Sequence, residues 1–210
     1  VTTGLQDAPG YFAINAQINQ KGYTPLEELK QQGLTPLSIE AFKQAAQDGA
    51  IILDTRPAST FTSGFIPGSI FIGLEGRFAE WAGALLPFNQ SIILVTDPGA
   101  EEASLVRLTR VGFEKISGYL EGGFQTWITA GEPVDMVIDV EADELVMDMP
   151  HDPRLTIVDV RKEGEFVEGH LKNAINLPLS EMTDVAEIAQ FNETQNLYIH
   201  CAGGYRSVIA

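Results

Sequence analysis

Two stretches decide how this chain is read: 51-IILDTRPASTFTSGFIPGSIFIGL-74 and 156-TIVDVRKEGEFVEGHLKNAINLPL-179. At an offset of 105 residues, Asp54 falls on Asp159, Arg56 on Arg161, Phe61 on Phe166 and Gly64 on Gly169. Ile66 then meets Leu171, Ile70 meets Ile175 and Leu74 meets Leu179. Further on, 91-SIILVTDPGAEEAS-104 lines up with 196-NLYIHCAGGYRSVI-209 after one deletion, which places Asp97 opposite Cys201. Agreement of residue type and spacing over this length makes the chain two copies of one domain.

Each copy repeats one grammar. The segment 37-LSIEAFKQAAQDGA-50 has helical spacing, with Ser38 placed as an N-cap and Gly49 at the stop. The runs IILDTR, IFIGL, SIILVT and NLYIHC are too short for helices and rich in branched residues, so they read as buried strands. Strands alternating with helices predict an α/β fold with a central parallel sheet in each copy, covered on both faces. Sites in such sheets lie in loops at the carboxyl ends of strands. Cys201, the chain's single cysteine, follows the strand-like run NLYIH at that position.

Composition narrows the function classes. The chain has 210 residues, 44% hydrophobic and 20% charged, as ordinary globular domains do. Its net charge of -16 argues against nucleic acid and anionic membranes, because phosphate binding requires clustered Lys and Arg. No apolar run approaches the roughly 20 residues of a membrane-spanning helix, and the N-terminal segment lacks the pattern of a signal peptide. One cysteine excludes an internal disulfide framework and a cysteine-based zinc cluster. His151, His170 and His200 show no metal-ligand spacing, so no metal or other cofactor is expected. A reducing cytoplasm is the expected setting.

The loop 201-CAGGYRS-207 is where chemistry concentrates. Glycine tolerates positive φ, so Gly203 and Gly204 would let successive amides turn inward and form an anion-binding nest. A helix beginning near Ser207 would add its positive end. Arg206 would bring a permanent charge and a planar fork suited to sulfonate, sulfite or phosphate oxygens. Such a cradle, formed by Ala202, Gly203, Gly204, Tyr205 and Ser207, favours the thiolate of Cys201. Asp159 and Arg161 could orient the loop or serve as a fold-holding ion pair at a strand end. His200 is read as packed beneath the loop, His170 as structural and His151 as exposed. Trp81 and Phe88 are assigned to core packing.

These residues resemble a known family. The DVR strand end at Asp159 to Arg161, the run from Phe166 to Pro178 and the CAGGYRS loop are similar to those of rhodanese-like domains. In the first copy, 112-GFEKISGYLEGGFQTW-127 resembles the family's closing element. The resemblance covers about residues 36–210 and implies a cysteine that takes sulfane sulfur as a persulfide and passes it to a nucleophile. Donors and acceptors would be small sulfur-containing anions, persulfides and thiols. Four residues separate Cys201 from Arg206, one fewer than in related phosphatase loops, which disfavours phosphatase or arsenate-reductase-like chemistry. A non-catalytic docking module remains the alternative reading.

The first copy reads as disarmed. Asp97 stands where the thiol should be, Glu102 opposite Arg206, and Pro98 removes an amide donor. The expected organisation is a connector over 1–35, an inactive copy over 36–135 and a thiol-bearing copy over 136–210. The first copy continues beyond its loop through Trp127 and Pro133 whereas the second stops at Ala210, so a fragment of a longer chain is expected. The segment 8-APGYFAINAQINQKGYTPLEELK-30 is similar to the connector that joins metallo-β-lactamase-fold hydrolases to rhodanese-like domains. That resemblance implies an upstream hydrolase, such as a relative of persulfide dioxygenases, as a partner domain. The residues themselves are equally compatible with a linker carrying one short helix.

Overall fold

The structure is a computed structural model and describes residues 22–210. Most of the connector-like stretch lies outside the described residues. Contacts divide the chain into two units, the first holding 64–135 and the residues up to 57, the second holding 58–63 and 136–210.

The first unit is built on five parallel strands: β1 (Pro36–Leu37), β2 (Ile51–Asp54), β3 (Ile70–Phe71), β4 (Ile92–Val95) and β5 (Ile116–Leu120). Their order is β1-β5-β4-β2-β3. All four residues of β4 are buried, as a strand covered on both faces requires. Within the expected run 70–74 the regular strand is Ile70–Phe71, paired with Leu53 and Asp54, and the amides of Ile72 and Leu74 continue the bonding to the Asp54 and Thr55 carbonyls. Helix Ile39–Gln47 begins where Ser38 accepts a hydrogen bond from the Ala41 amide, and Gly49 follows with φ +94°. At the β1–β5 contact a Cβ on Gly118 would stand 2.5 Å from the Thr35 carbonyl oxygen, so only glycine fits. Phe42, Ile66, Ile93, Val95, Leu120 and Trp127 form one core cluster. Trp127, which closes this core, meets Phe42 edge-on at 6.1 Å and donates its indole N–H to the Pro133 carbonyl. Trp81 is buried and Phe88 stacks on Phe113, both packing roles as expected.

The second unit has three parallel strands, β6 (Leu155–Asp159), β7 (Ile175–Asn176) and β8 (Asn196–His200), in the order β7-β6-β8. Its core includes Ile157, Val158, Val160, Leu177 and Leu179.

The repeated sequence shows itself as a repeated clamp. Arg56 donates from Nη2 to Asp54 Oδ2 at 2.6 Å and to the Gly64 carbonyl at 2.9 Å. Arg161 does the same toward Asp159 at 2.6 Å and Gly169 at 2.7 Å. In both copies the carboxylate also caps the arginine's own amide at 3.0 Å. The first clamp is sealed, with its arginine 4.0 Å over the Phe124 ring. Burial pushes the Asp54 carboxyl up against the opposing pull of Arg56. At Asp159 burial also pushes upward, but the Arg161 hydrogen bonds and the His200 charge outweigh it and hold the carboxyl low. The clamp fastens a strand end to the turn beyond the next helix, a fold-holding role. Replacing Arg56 with Ala strands a buried carboxylate and should cost about 3–5 kcal/mol, read as a lower urea midpoint by tryptophan fluorescence.

Candidate functional site

Cys201 follows β8 directly, at the carboxyl end of the second sheet. Parallel pairing fixes it there, because β6 and β8 run in register from Leu155–Asn196 to Asp159–His200. The Val160 amide then donates to the His200 carbonyl, extending the pairing up to the cysteine. Cys201 itself is partly exposed and unpaired as a thiol.

The residues after it turn their donors back onto the sulfur. The Gly204 amide donates to Sγ at 3.2 Å, and the amides of Gly203 and Ser207 act with it to favour the thiolate. The Ser207 hydroxyl oxygen is 3.6 Å from Sγ and donates to the Gly204 carbonyl at 2.9 Å. A hydroxyl rotor can redirect its proton toward an ionised sulfur. Burial pushes the Cys201 thiol up, yet these hydrogen bonds outweigh it and hold the thiol below its ordinary value. The sulfur sits in a nest built for negative charge.

Several details differ from expectation. Only Gly204 occupies the left-handed region, with φ +86°, so one inverted residue suffices to turn the loop. Helix Tyr205–Ile209 starts at Tyr205, two residues before the expected start. Ala202 is exposed, and Tyr205 is partly buried at the helix start.

Arg206 is held by a residue that sequence reasoning missed. Its Nη1 donates to Glu165 Oε2 at 2.7 Å and its Nη2 to Oε1 at 2.8 Å, a two-pronged pair. Glu165 lies in helix Glu163–Glu168 and also accepts from the Lys162 amide at 3.1 Å. The hydrogen bond to Glu165 is the largest influence raising the Arg206 pKa, and a hydrogen bond and charge contact with Cys201 also raise it. The guanidinium is thus bound to a carboxylate and feels the charge of the thiol. Glu165 was hidden because a Glu on an acidic helix carries no distinguishing spacing.

Asp159 and Arg161 form the clamp described above, to which Asn176 adds hydrogen bonds from Nδ2 to the Asp159 and Arg161 carbonyls at 2.9 Å. His200 places Nε2 at 3.6 Å from Asp159 Oδ2, next to the loop rather than in it. His170 stacks on Phe166 and bonds its carbonyl through Nδ1, a structural role. A cavity of about 760 Å³ in the second unit opens beside Cys201, Gly204 and Ser207, walled by apolar side chains such as Val140, Leu145 and Ile199.

The corresponding loop of the first unit holds none of this. Asp97 is exposed, and Glu102 pairs with Lys30 at 2.7 Å. Among the described residues no group of three or more His, Cys, Asp or Glu could hold a metal ion, and no helix is long and apolar enough to cross a membrane.

The rhodanese-like domain family is matched over residues 38–130 and again over 141–210. The chain belongs to the rhodanese-like domain family. Among curated proteins, this rhodanese-like chain is 36% identical over 67 residues to a tRNA uridine(34) hydroxylase of Photorhabdus laumondii subsp. laumondii, covering 30% of this chain and 19% of that protein. Among solved structures, a thiosulfate sulfurtransferase from Pseudomonas aeruginosa is similar with a TM-score of 0.42 and 17% identity, covering 87% of this chain and 41% of that one. A metallo-beta-lactamase from Staphylococcus aureus is similar with a TM-score of 0.45 and 24% identity, covering 56% and 31%. The chain spans less than half the length of the curated relatives it matches.

The Arg206 pair holds the Glu165 carboxyl down at about 2. Because this folded value lies below the ordinary ~4.3, the pair stabilises fully above that range and its contribution is lost as pH falls toward 2. Carboxyl carbon NMR should show Glu165 titrating near 2 in the parent and near the ordinary value in Arg206→Ala.

Proposed function

We propose that Cys201 carries sulfane sulfur as a persulfide and that the chain serves as a sulfurtransferase. The Gly204 amide donating to the Cys201 sulfur at 3.2 Å, with the Ser207 hydroxyl 3.6 Å from it, is the observation that carries this reading. The Cys201 thiolate attacks the outer sulfur of thiosulfate or of a low-molecular-weight persulfide. The donor's S–S bond breaks, its electron pair leaves with sulfite or thiolate, and Cys–S–S⁻ remains. The amides of Gly203, Gly204 and Ser207 stabilise the charge through this exchange, with Arg206 alongside. An acceptor thiolate then attacks the outer sulfur, forms its own persulfide and returns Cys201 to the thiolate.

The copy over 36–135 does not transfer sulfur in this reading. Asp97 cannot hold a persulfide, and Glu102 reverses the charge found at Arg206. The copy over 136–210 is the carrier. Residues 1–35 connect the copy over 36–135 to an upstream metallo-β-lactamase-fold hydrolase, a reading supported by the resemblance of the connector sequence. Such a protein works in a reducing cytoplasm, where its thiol stays free.

Intact-mass spectrometry after thiosulfate treatment should show a gain of about 32 Da at Cys201, reversed by a thiol acceptor. Cys201→Ser should gain nothing. Absence of the adduct from a folded parent chain, with either thiosulfate or an organic persulfide, would exclude the reading.

A further inference from the structure

We propose that Glu165 is the positioning residue of the sulfur-transfer site, holding the Arg206 guanidinium beside Cys201. This rests on the reading of Cys201 as the sulfur carrier.

Two observations carry the inference. The first is geometric. Both terminal nitrogens of Arg206 are committed to the two oxygens of Glu165, at 2.7 and 2.8 Å. A guanidinium on a flexible stem has many rotamers, and a two-pronged acceptor selects one of them. With its far end fixed on the helix Glu163–Glu168, the arginine is held in the first turn of the helix Tyr205–Ile209 that closes the Cys201 loop. A carboxyl held near 2 stays an acceptor at working pH, so Glu165 orients and does not itself move a proton.

The second observation comes from the internal repeat, which separates residues that hold the fold from residues that serve the site. The Asp–Arg–Gly clamp is present in both copies with nearly the same distances. The Glu165–Arg206 pair is present only in the copy that has a cysteine. At the same offsets the first copy has Thr60 for Glu165 and Glu102 for Arg206. That copy folds around a core of its own without the pair. Both members of the pair are thus absent together with the thiol, whereas the clamp is kept in both copies.

The pair also sets the charge of the cradle. Arg206 faces the sulfur already compensated by Glu165, so the loop amides supply most of the attraction for an anion. The guanidinium adds direction more than net charge.

The test is a double-substitution cycle on the Cys201 thiol, read as the pH dependence of its alkylation by iodoacetamide in the full chain. Glu165→Ala should release Arg206 and raise the alkylation midpoint by roughly half to one pH unit, the same direction as Arg206→Ala. Glu165→Gln keeps an oxygen for the Lys162 amide and for one arginine nitrogen, so it should fold normally and shift the midpoint less. In the Arg206→Ala background, Glu165→Ala should add no further shift. A downward shift, or an equal shift in both backgrounds, would overturn the proposal. So would an unshifted Glu165→Gln accompanied by a Glu165→Ala variant that loses helical circular dichroism. Alkylation requires no sulfur transfer, so a chain that takes up no sulfur still reports on Glu165, and the two readings fail separately.

Discussion

A carboxylate buried at the end of a strand cannot stand alone, and the arginine two residues later answers it in both copies. That clamp ties the strand end to the turn at Gly64 or Gly169, which lies past the helix that follows. In the second unit it fixes the carboxyl end of β6, and parallel register then fixes the end of β8 beside it. The thiol loop inherits its position from those two constraints. The position of the sulfur depends on a charge pair at the neighbouring strand end.

The loop itself stabilises charge with backbone more than with side chains. The Gly204 amide donates to Sγ and the Gly203 and Ser207 amides act with it, a hydroxyl stands by, and Arg206 is matched by a carboxylate. Amides held by a turn need no reorganisation when charge develops, which suits a sulfur that bears negative charge. The first unit shows the converse. It keeps the clamp, the sheet and a larger core, yet its loop presents an exposed Asp97 and a Glu102 turned to Lys30. Fold and chemistry have separate residues in this chain.

Much of the fold was legible because it is written twice. Branched runs gave the strands, Ser38 and Gly49 bounded a helix, and the offset of Asp54 on Asp159 exposed the repeat. The cysteine loop was legible from composition, since two glycines and an arginine follow the only thiol. Glu165 was not, because its partner lies 41 residues away on a different short helix. The role of Gly203 was over-read: glycine permits a positive φ without requiring one, and only Gly204 adopts it. The short β3 was also unreadable, since IFIGL is apolar throughout while regular strand geometry ends after Phe71.

The account stands on the ionisation of one thiol against the cost of burying it. Ultraviolet absorbance of the thiolate, followed against pH in the parent chain, measures that balance at Cys201 without any donor or acceptor. The structure predicts a midpoint below that of the same thiol in the unfolded chain. A midpoint at or above that value would mean that burial prevails over the loop amides, and the sulfur-carrying site would not exist as described.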